Sequence, residues 1–122
     1  MNLHETQRLL NILAEPNRLR LLIALSSRRL CVCELSAALK LRQTVVSQHL
    51  RVLRDCDLVV NHKDGLWVEY EVSPEALQGP PGRLLKAVLT EAGRDDAVAL
   101  DQQAVAEVDR KVVCRKPKGT AA

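Results

Sequence analysis

The sequence predicts a mainly α chain of the α+β class, with several helices and one β-hairpin in a single domain. Apolar residues recur at helical spacing in the first half, and a short turn separates two of the predicted helices. Further on, an Asp-Gly pair stands between two strand-like segments, which is a strong hairpin signal. The chain of 122 residues is long enough for one domain, near the lower end of what sustains its own core.

Four helices are predicted before the hairpin. The first ends just before Pro16, which is well placed as the first residue of the second. A short helix is expected over 33–39, a tight turn over 40–42, and another helix over 43–55. The last two helices and their turn are typical of a helix-turn-helix. Their inward-facing residues are expected to be Leu35, Ala38, Leu39, Val46, Leu50 and Leu53.

The hairpin should pair residues 58–62 with 66–72 across Asp64-Gly65. Two further helical patterns follow, the second weaker than the first, and the basic segment 114–122 is expected to be a flexible tail. Helices, a helix-turn-helix and a hairpin in this order make a winged helix, whose hairpin lies beside the recognition helix. We therefore expect one winged helix-turn-helix domain for DNA binding and dimerisation over residues 1–113.

The charges point to duplex DNA as a partner. The net charge is only +3, but the four charged residues between positions 40 and 54 are all basic. With one Trp, one Tyr and no Phe, the chain lacks the aromatic platforms that bind single strands. Capping of the recognition helix is the alternative role for Thr44 and Ser47. The candidate DNA contacts are Gln43, Thr44, Ser47, Gln48 and Arg51 on that helix and Lys63 on the hairpin.

Cys31 and Cys33 form a candidate metal site at the start of the short helix. Side chains two positions apart diverge in a regular helix, so both sulfurs can bind one ion only where the backbone is extended, frayed or bent. The helix N-terminus and the neighbouring Arg28 and Arg29 should lower the pKa of these thiols and favour the thiolate.

Four segments together give the chain a specific likeness to a known family. They are LAEPNRL at 13–19, LCVCEL at 30–35, VSQHLRVLR at 46–54 and KDGLWV at 63–68. In these segments the chain resembles the ArsR/SmtB family of metal-responsive repressors, over roughly residues 5–90. The resemblance implies a homodimer, joined by its first and last main helices, that binds an operator and releases it when a metal or metalloid binds.

Two residues depart from the family pattern. Asp57 replaces a glycine that often follows the recognition helix, and Asp tolerates a left-handed backbone there at some cost. Ser36 stands where arsenic-type members carry a third cysteine, and a hydroxyl cannot replace a thiolate for a soft ion. A third sulfur must then come from Cys114, on the tail of the same or the partner subunit, or from Cys56, for which a packing role is the stronger interpretation.

The predicted effector is As(III) or Sb(III) held by Cys31, Cys33 and Cys114. Cadmium or lead with further ligands remains an alternative, whereas the zinc site of the family's other type is absent because residues 84–92 contain no His. A thiol-redox repressor would use the same cysteines. A winged helix that binds protein instead of DNA would show no salt-dependent duplex binding.

An enzyme is not expected, because the chain lacks the Cys-x-x-Cys of a thiol-disulfide oxidoreductase. No catalytic residue and no catalytic cofactor is predicted. The chain starts without the pattern of a signal peptide and has no apolar run long enough for a bilayer, so we expect a cytoplasmic protein with free thiols and no membrane partner.

Overall fold

The computed structural model describes residues 1–114, which form helices and a small sheet. Residues 115–122, on which most of the predicted tail falls, lie outside the described residues. In chain order the elements are α1 (Leu3–Leu13), α2 (Pro16–Ser27), β1 (Leu30–Cys31), α3 (Val32–Leu39), α4 (Gln43–Asp55), β2 (Val59–Asp64), β3 (Trp67–Val72), a short 3-10 turn (Glu75–Leu77), α5 (Gly79–Ala92), α6 (Asp96–Glu107) and α7 (Arg110–Val113).

Local signals set the ends of several helices as predicted. Pro16 is the first residue of α2, and the Glu15 carboxylate accepts the backbone N–H groups of Asn17 and Arg18. Lys40 ends α3 in the left-handed conformation, with φ of 57°, and so turns the chain into α4. Asp57 adopts φ of 60°, so the position where the family often carries glycine does require a left-handed backbone.

The sheet contains one strand more than the predicted hairpin. Its order is β1-β3-β2, and both pairings are antiparallel. β1 has only two residues, Leu30 and Cys31, which face Tyr70 and Glu69 of β3. A strand this short has no alternating pattern to read. It joins the hairpin, which we call the wing (β2 and β3), to the start of α3.

The core lies between α2, α3, α4 and the sheet. All six residues predicted to face inward from the helix-turn-helix are buried. Leu21 and Leu22 of α2 and Leu85 of α5 are also fully buried. In α6 the apolar pattern predicts burial only in part, because Val105 is buried while Leu100 is 66% exposed.

The C-terminal segment, α6 and α7, folds back over α2 and α3. Arg20 of α2 forms an ion pair with Asp101 of α6 at 2.8 Å. The Arg28 guanidinium donates hydrogen bonds to the carbonyls of Val105 and Val108. Cys114, expected as the first residue of a flexible tail, instead ends α7 and is buried.

None of the helices among residues 1–114 combines the length and apolar character needed to cross a bilayer.

Candidate functional site

Three thiols converge where α7 meets the start of α3. The Sγ atoms of Cys31, Cys33 and Cys114 all lie within 4.8 Å of one another. The Cys31 and Cys114 sulfurs are 3.5 Å apart. Two sulfurs bound to one ion by bonds of about 2.3 Å can be at most about 4.6 Å apart. The cluster is thus already close to the geometry of a three-sulfur site, and all three thiols come from one chain.

The backbone at the start of α3 explains how residues two positions apart present their sulfurs together. Cys31 is the N-cap of α3 and has extended dihedral angles, whereas Cys33 lies in the first helical turn. The change from strand to helix between them removes the divergence expected in a regular helix. Cys31 is buried, while Cys33 is only half-buried.

Glu34 binds the backbone of both segments that carry the clustered thiols, the start of α3 and α7. Its carboxylate is buried, with only 3% of the residue exposed. Oε1 accepts the N–H of Cys31 at 2.9 Å, and Oε2 accepts the N–H of Arg110, the first residue of α7, at 3.2 Å. Arg28 contacts the same carboxylate at 3.4 Å. Glu34 therefore ties the N-terminus of α3 to the helix that carries Cys114. This role of Glu34 was not predicted, because Arg110 lies 76 positions away in the sequence.

The predicted lowering of the thiol pKa is wrong for Cys31. Burial raises the pKa of Cys31 from 9.0 to about 11, and the nearby Glu34 carboxylate adds to the rise. Burial, together with the neighbouring thiols of Cys33 and Cys31, also raises the pKa of Cys114 well above its ordinary value. The arginines do not offset this, because Arg28 binds carbonyls and Glu34, and Arg29 pairs with Glu71.

The other two positions considered for a third ligand have structural roles. Cys56 ends α4 and packs against the core in a different part of the molecule from the thiol cluster, close to Leu9 and Pro81. Ser36 donates its hydroxyl to the Leu41 carbonyl within the helix-turn-helix. The structure therefore brings Cys114, and not Cys56, to the two cysteines of α3.

The thiol cluster touches the predicted recognition helix. Gln43, the first residue of α4, donates from Nε2 to the Cys33 sulfur at 3.8 Å. This bond joins a candidate metal ligand to a candidate DNA contact. It was not predicted, because the two residues are ten positions apart on different helices.

The candidate DNA contacts lie on α4 and on the wing. Gln43, Thr44, Gln48 and Arg51 are exposed on α4, Ser47 is half-buried, and Lys63 is exposed on the wing. The N-cap of α4 is Arg42, so the alternative in which Thr44 or Ser47 caps the helix is wrong. His49 contacts the Glu15 carboxylate at 3.3 Å, which gives it the structural role that is usual for a lone histidine.

Trp67 packs beneath an arginine of the C-terminal segment. The Arg110 guanidinium carbon lies 4.2 Å from the centre of the Trp67 ring. Trp67 thus packs the wing to the body of the domain. This arginine was not predicted as the partner of Trp67, because a lone arginine in a weak helical pattern carries no signal.

Comparisons with known proteins agree with these elements. A family model described as "Bacterial regulatory protein, arsR family" matches residues 15–60, from α2 to the first wing strand. The HTH-type transcriptional regulator CmtR of Mycobacterium tuberculosis is 39% identical over 100 residues, which cover 82% of this chain and 79% of that protein. The chain belongs to the ArsR family. This confirms the resemblance seen in the sequence, and the family comprises DNA-binding transcriptional regulators rather than enzymes.

Two more family relatives extend the comparison. The arsenical resistance operon repressor of Escherichia coli is 43% identical over 67 residues, which cover 54% of this chain and 57% of that repressor. The match thus spans little more than half the length of that relative. The crystal structure of the transcriptional repressor BigR from Xylella fastidiosa is similar with a TM-score of 0.65 and 26% identity, over 76% of this chain and 90% of that one. The predicted winged helix-turn-helix is confirmed.

Proposed function

We propose that this chain is a transcriptional repressor that binds operator DNA as a homodimer and releases it when As(III) or Sb(III) binds Cys31, Cys33 and Cys114. The observation that carries the proposal is the convergence of three sulfurs within 4.8 Å. The name of the Escherichia coli relative, an arsenical resistance operon repressor, supports the same effector.

The chemistry of the cluster favours a trivalent metalloid. Soft ions prefer sulfur ligands. Neutral arsenous acid, As(OH)3, condenses with three protonated thiols to give As(SR)3 and three waters, so that no proton and no charge is gained or lost. A divalent cation on three thiolates would instead leave a net negative charge beside the buried Glu34 carboxylate. A buried charge without a partner is costly. Cadmium and lead are therefore the weaker alternatives.

On the DNA side, the proposal assigns base and phosphate contacts to the exposed face of α4 and a phosphate contact to Lys63. A homodimer supplies two recognition helices for two half-sites. The exposed leucines of α1, Leu3 at 85% and Leu10 at 48%, support α1 as part of the dimer interface. The second predicted contributor is α5, the long helix that follows the wing.

Release follows from linkage between the two sites. If the metalloid binds better to the conformation that holds DNA poorly, it lowers operator affinity by the same factor by which DNA lowers metalloid affinity. Such couplings are commonly about 1 to 3 kcal/mol. The Gln43 to Cys33 hydrogen bond gives a direct physical connection, because arsenic would bind the same sulfur that accepts this bond.

Operator release measured with single-cysteine variants tests the proposal. A fluorescent duplex, selected by the protein from a random pool, is bound and then titrated with arsenite under reducing conditions. Cys31→Ser, Cys33→Ser and Cys114→Ser are each expected to bind the duplex but to lose release. Cys56→Ser is the matched control, because it removes a half-buried thiol outside the cluster. X-ray absorption of the arsenite complex should count three sulfur neighbours. Wild-type release in all three cluster variants would contradict the proposal.

A thiol-redox repressor is the second candidate, favoured by the 3.5 Å between the Cys31 and Cys114 sulfurs. Peroxide would oxidise the two thiols to a disulfide and be reduced to two waters, with the thiol protons taken into that water. Cys33→Ser separates the two functions. If a disulfide between Cys31 and Cys114 causes release, this variant should still release the operator with peroxide. If metalloid binding to three sulfurs causes release, the variant should no longer release the operator with arsenite.

A further inference from the structure

We propose that Arg110 is a positioning residue that couples the thiol cluster to the wing, so that an effector bound at Cys114 holds the wing against the body of the domain. The inference deepens the proposed function and rests on it for the identity of the effector. The contacts that carry it belong to one turn of helix and to the wing.

One turn of helix links Arg110 to Cys114. The Cys114 N–H donates to the Arg110 carbonyl at 2.8 Å, which closes the single turn of α7. One end of this turn carries a thiol of the cluster, and the other end carries the Arg110 guanidinium. Anchoring Cys114 therefore restricts where Arg110 can be.

Three contacts hold the Arg110 side chain against the wing, and we call these contacts the clasp. Nη2 donates to Asp64 at 2.7 Å, and Nη1 donates to Glu69 at 3.2 Å. The guanidinium also lies over the Trp67 ring. The side chain of Arg110 is only 20% exposed, so these contacts are partly shielded from solvent. Arginine suits this place because its planar group can pair with carboxylates and stack on an aromatic ring at once.

A second path joins the same parts. Cys31 faces Glu69 across the β1–β3 pairing, and Glu69 is one of the two carboxylates that Arg110 binds. The wing thus contacts both the strand that carries one thiol and the helix that carries another. The conformation that brings the three sulfurs together is also the one in which Arg110 clasps the wing.

An effector that binds three sulfurs stabilises this clasped conformation over one in which α7 is undocked. A wing held in this way cannot adjust to the DNA backbone, although Lys63, its candidate phosphate contact, lies next to Asp64. Without the effector, α7 and the wing are held less firmly, and the wing can adapt to the operator. The clasp therefore turns metalloid binding into weaker DNA binding.

The first test uses no arsenite. Because Cys114 is 7% exposed, its alkylation by iodoacetamide requires α7 to open. We expect Arg110→Met to raise the Cys114 alkylation rate about tenfold, whereas Lys111→Met, which removes the same charge from an exposed position of the same helix, leaves the rate within about twofold. Arg110→Lys should give an intermediate rate, because it keeps a charge but not the stacked, forked geometry. Equal rates in wild type, Arg110→Met and Lys111→Met would overturn the proposal.

The second test follows the wing as arsenite binds. In the wild type, arsenite should slow hydrogen exchange of the wing amides and change the emission of Trp67, the only tryptophan. Arg110→Met should still bind arsenite and protect α7, but wing protection should be lost and operator release should fall to about twofold or less, against the roughly 5- to 150-fold of typical couplings. Asp64→Asn, which weakens the clasp from the wing side, should shift both readouts in the same direction.

Full wing protection and full release in both Arg110→Met and Asp64→Asn would overturn the coupling. If the wild type binds no arsenite while Arg110→Met still speeds Cys114 alkylation, the proposed effector is wrong and the coupling between α7 and the wing stands. The two failures are thus distinguishable.

Discussion

The Gln43 side chain donates a hydrogen bond to the Cys33 sulfur over 3.8 Å, and so joins the first residue of the recognition helix to the thiol cluster. Because the two side chains are in contact, a small displacement at the Cys33 sulfur is enough to change the position of Gln43. Gln43 is exposed on its outer side, where it is a candidate DNA contact. The proposed effect of arsenite on α4 can therefore be tested at this pair.

Gln43→Leu is expected to reduce the arsenite-dependent loss of operator affinity while changing arsenite affinity by no more than about 1 kcal/mol, the usual size of one hydrogen bond. Gln48→Leu, on the same exposed face of α4, is the matched control and should weaken operator binding but keep the arsenite effect. Anisotropy titrations with and without arsenite measure both. An undiminished arsenite effect in Gln43→Leu would exclude this residue from the coupling.

Proton release distinguishes the metalloid from a divalent cation. Condensation of arsenous acid with protonated thiols releases water and no protons, whereas cadmium must displace the thiol protons. Burial keeps the thiols of Cys31 and Cys114 protonated near neutral pH, since it raises both pKa values. Arsenite affinity should therefore stay nearly constant from about pH 6 to 8, while cadmium affinity should rise steeply. Calorimetry in buffers of different ionisation enthalpy counts the protons, and proton release with arsenite would contradict the condensation.

The buried Cys31 thiol should make the protein less stable in alkali. Its pKa is about 11 in the folded chain and 9.0 in the ordinary thiol, so between these values the unfolded chain has lost the proton that the folded chain keeps. The stabilisation is complete below pH 9 and is lost as pH rises to about 11, by roughly 2 to 3 kcal/mol. Urea unfolding of the reduced protein and of Cys31→Ser over this range measures the loss. The variant should lose less stability, and parallel profiles would contradict the assignment.

The dimer interface proposed for α1 predicts the effect of a buried charge there. Leu10→Glu should dissociate the homodimer and weaken operator binding, because a carboxylate in an apolar interface loses its hydration. Leu66→Glu, at an exposed leucine of the wing turn, is the control and should leave the dimer intact. Sedimentation velocity at micromolar concentration gives the mass of each variant. If the Leu10→Glu variant remains dimeric, the dimer interface lies elsewhere.

The sequence by itself determined the elements of the winged helix-turn-helix. Helical spacing located the buried faces around Val46, Leu50 and Leu53, Pro16 marked a helix start, and Asp64-Gly65 marked the hairpin. These features depend on residues close together in the chain, so local periodicity and backbone preference are enough to predict them. The pairing of Cys31 with Cys33 at the start of α3 is local in the same sense.

Only the tertiary structure decided which third thiol joins that pair and what surrounds it. Cys114 reaches Cys31 because contacts such as that between Arg20 and Asp101 fold α6 and α7 back across the domain, and no local pattern encodes contacts between residues some 80 positions apart. The raised pKa of Cys31 follows from burial, which is a property of the packed molecule and outweighs the nearby arginines seen in the sequence. For the same reason, the contacts of Arg110 with Asp64 and Glu69 of the wing depend on the tertiary fold, which brings α7 and the wing together.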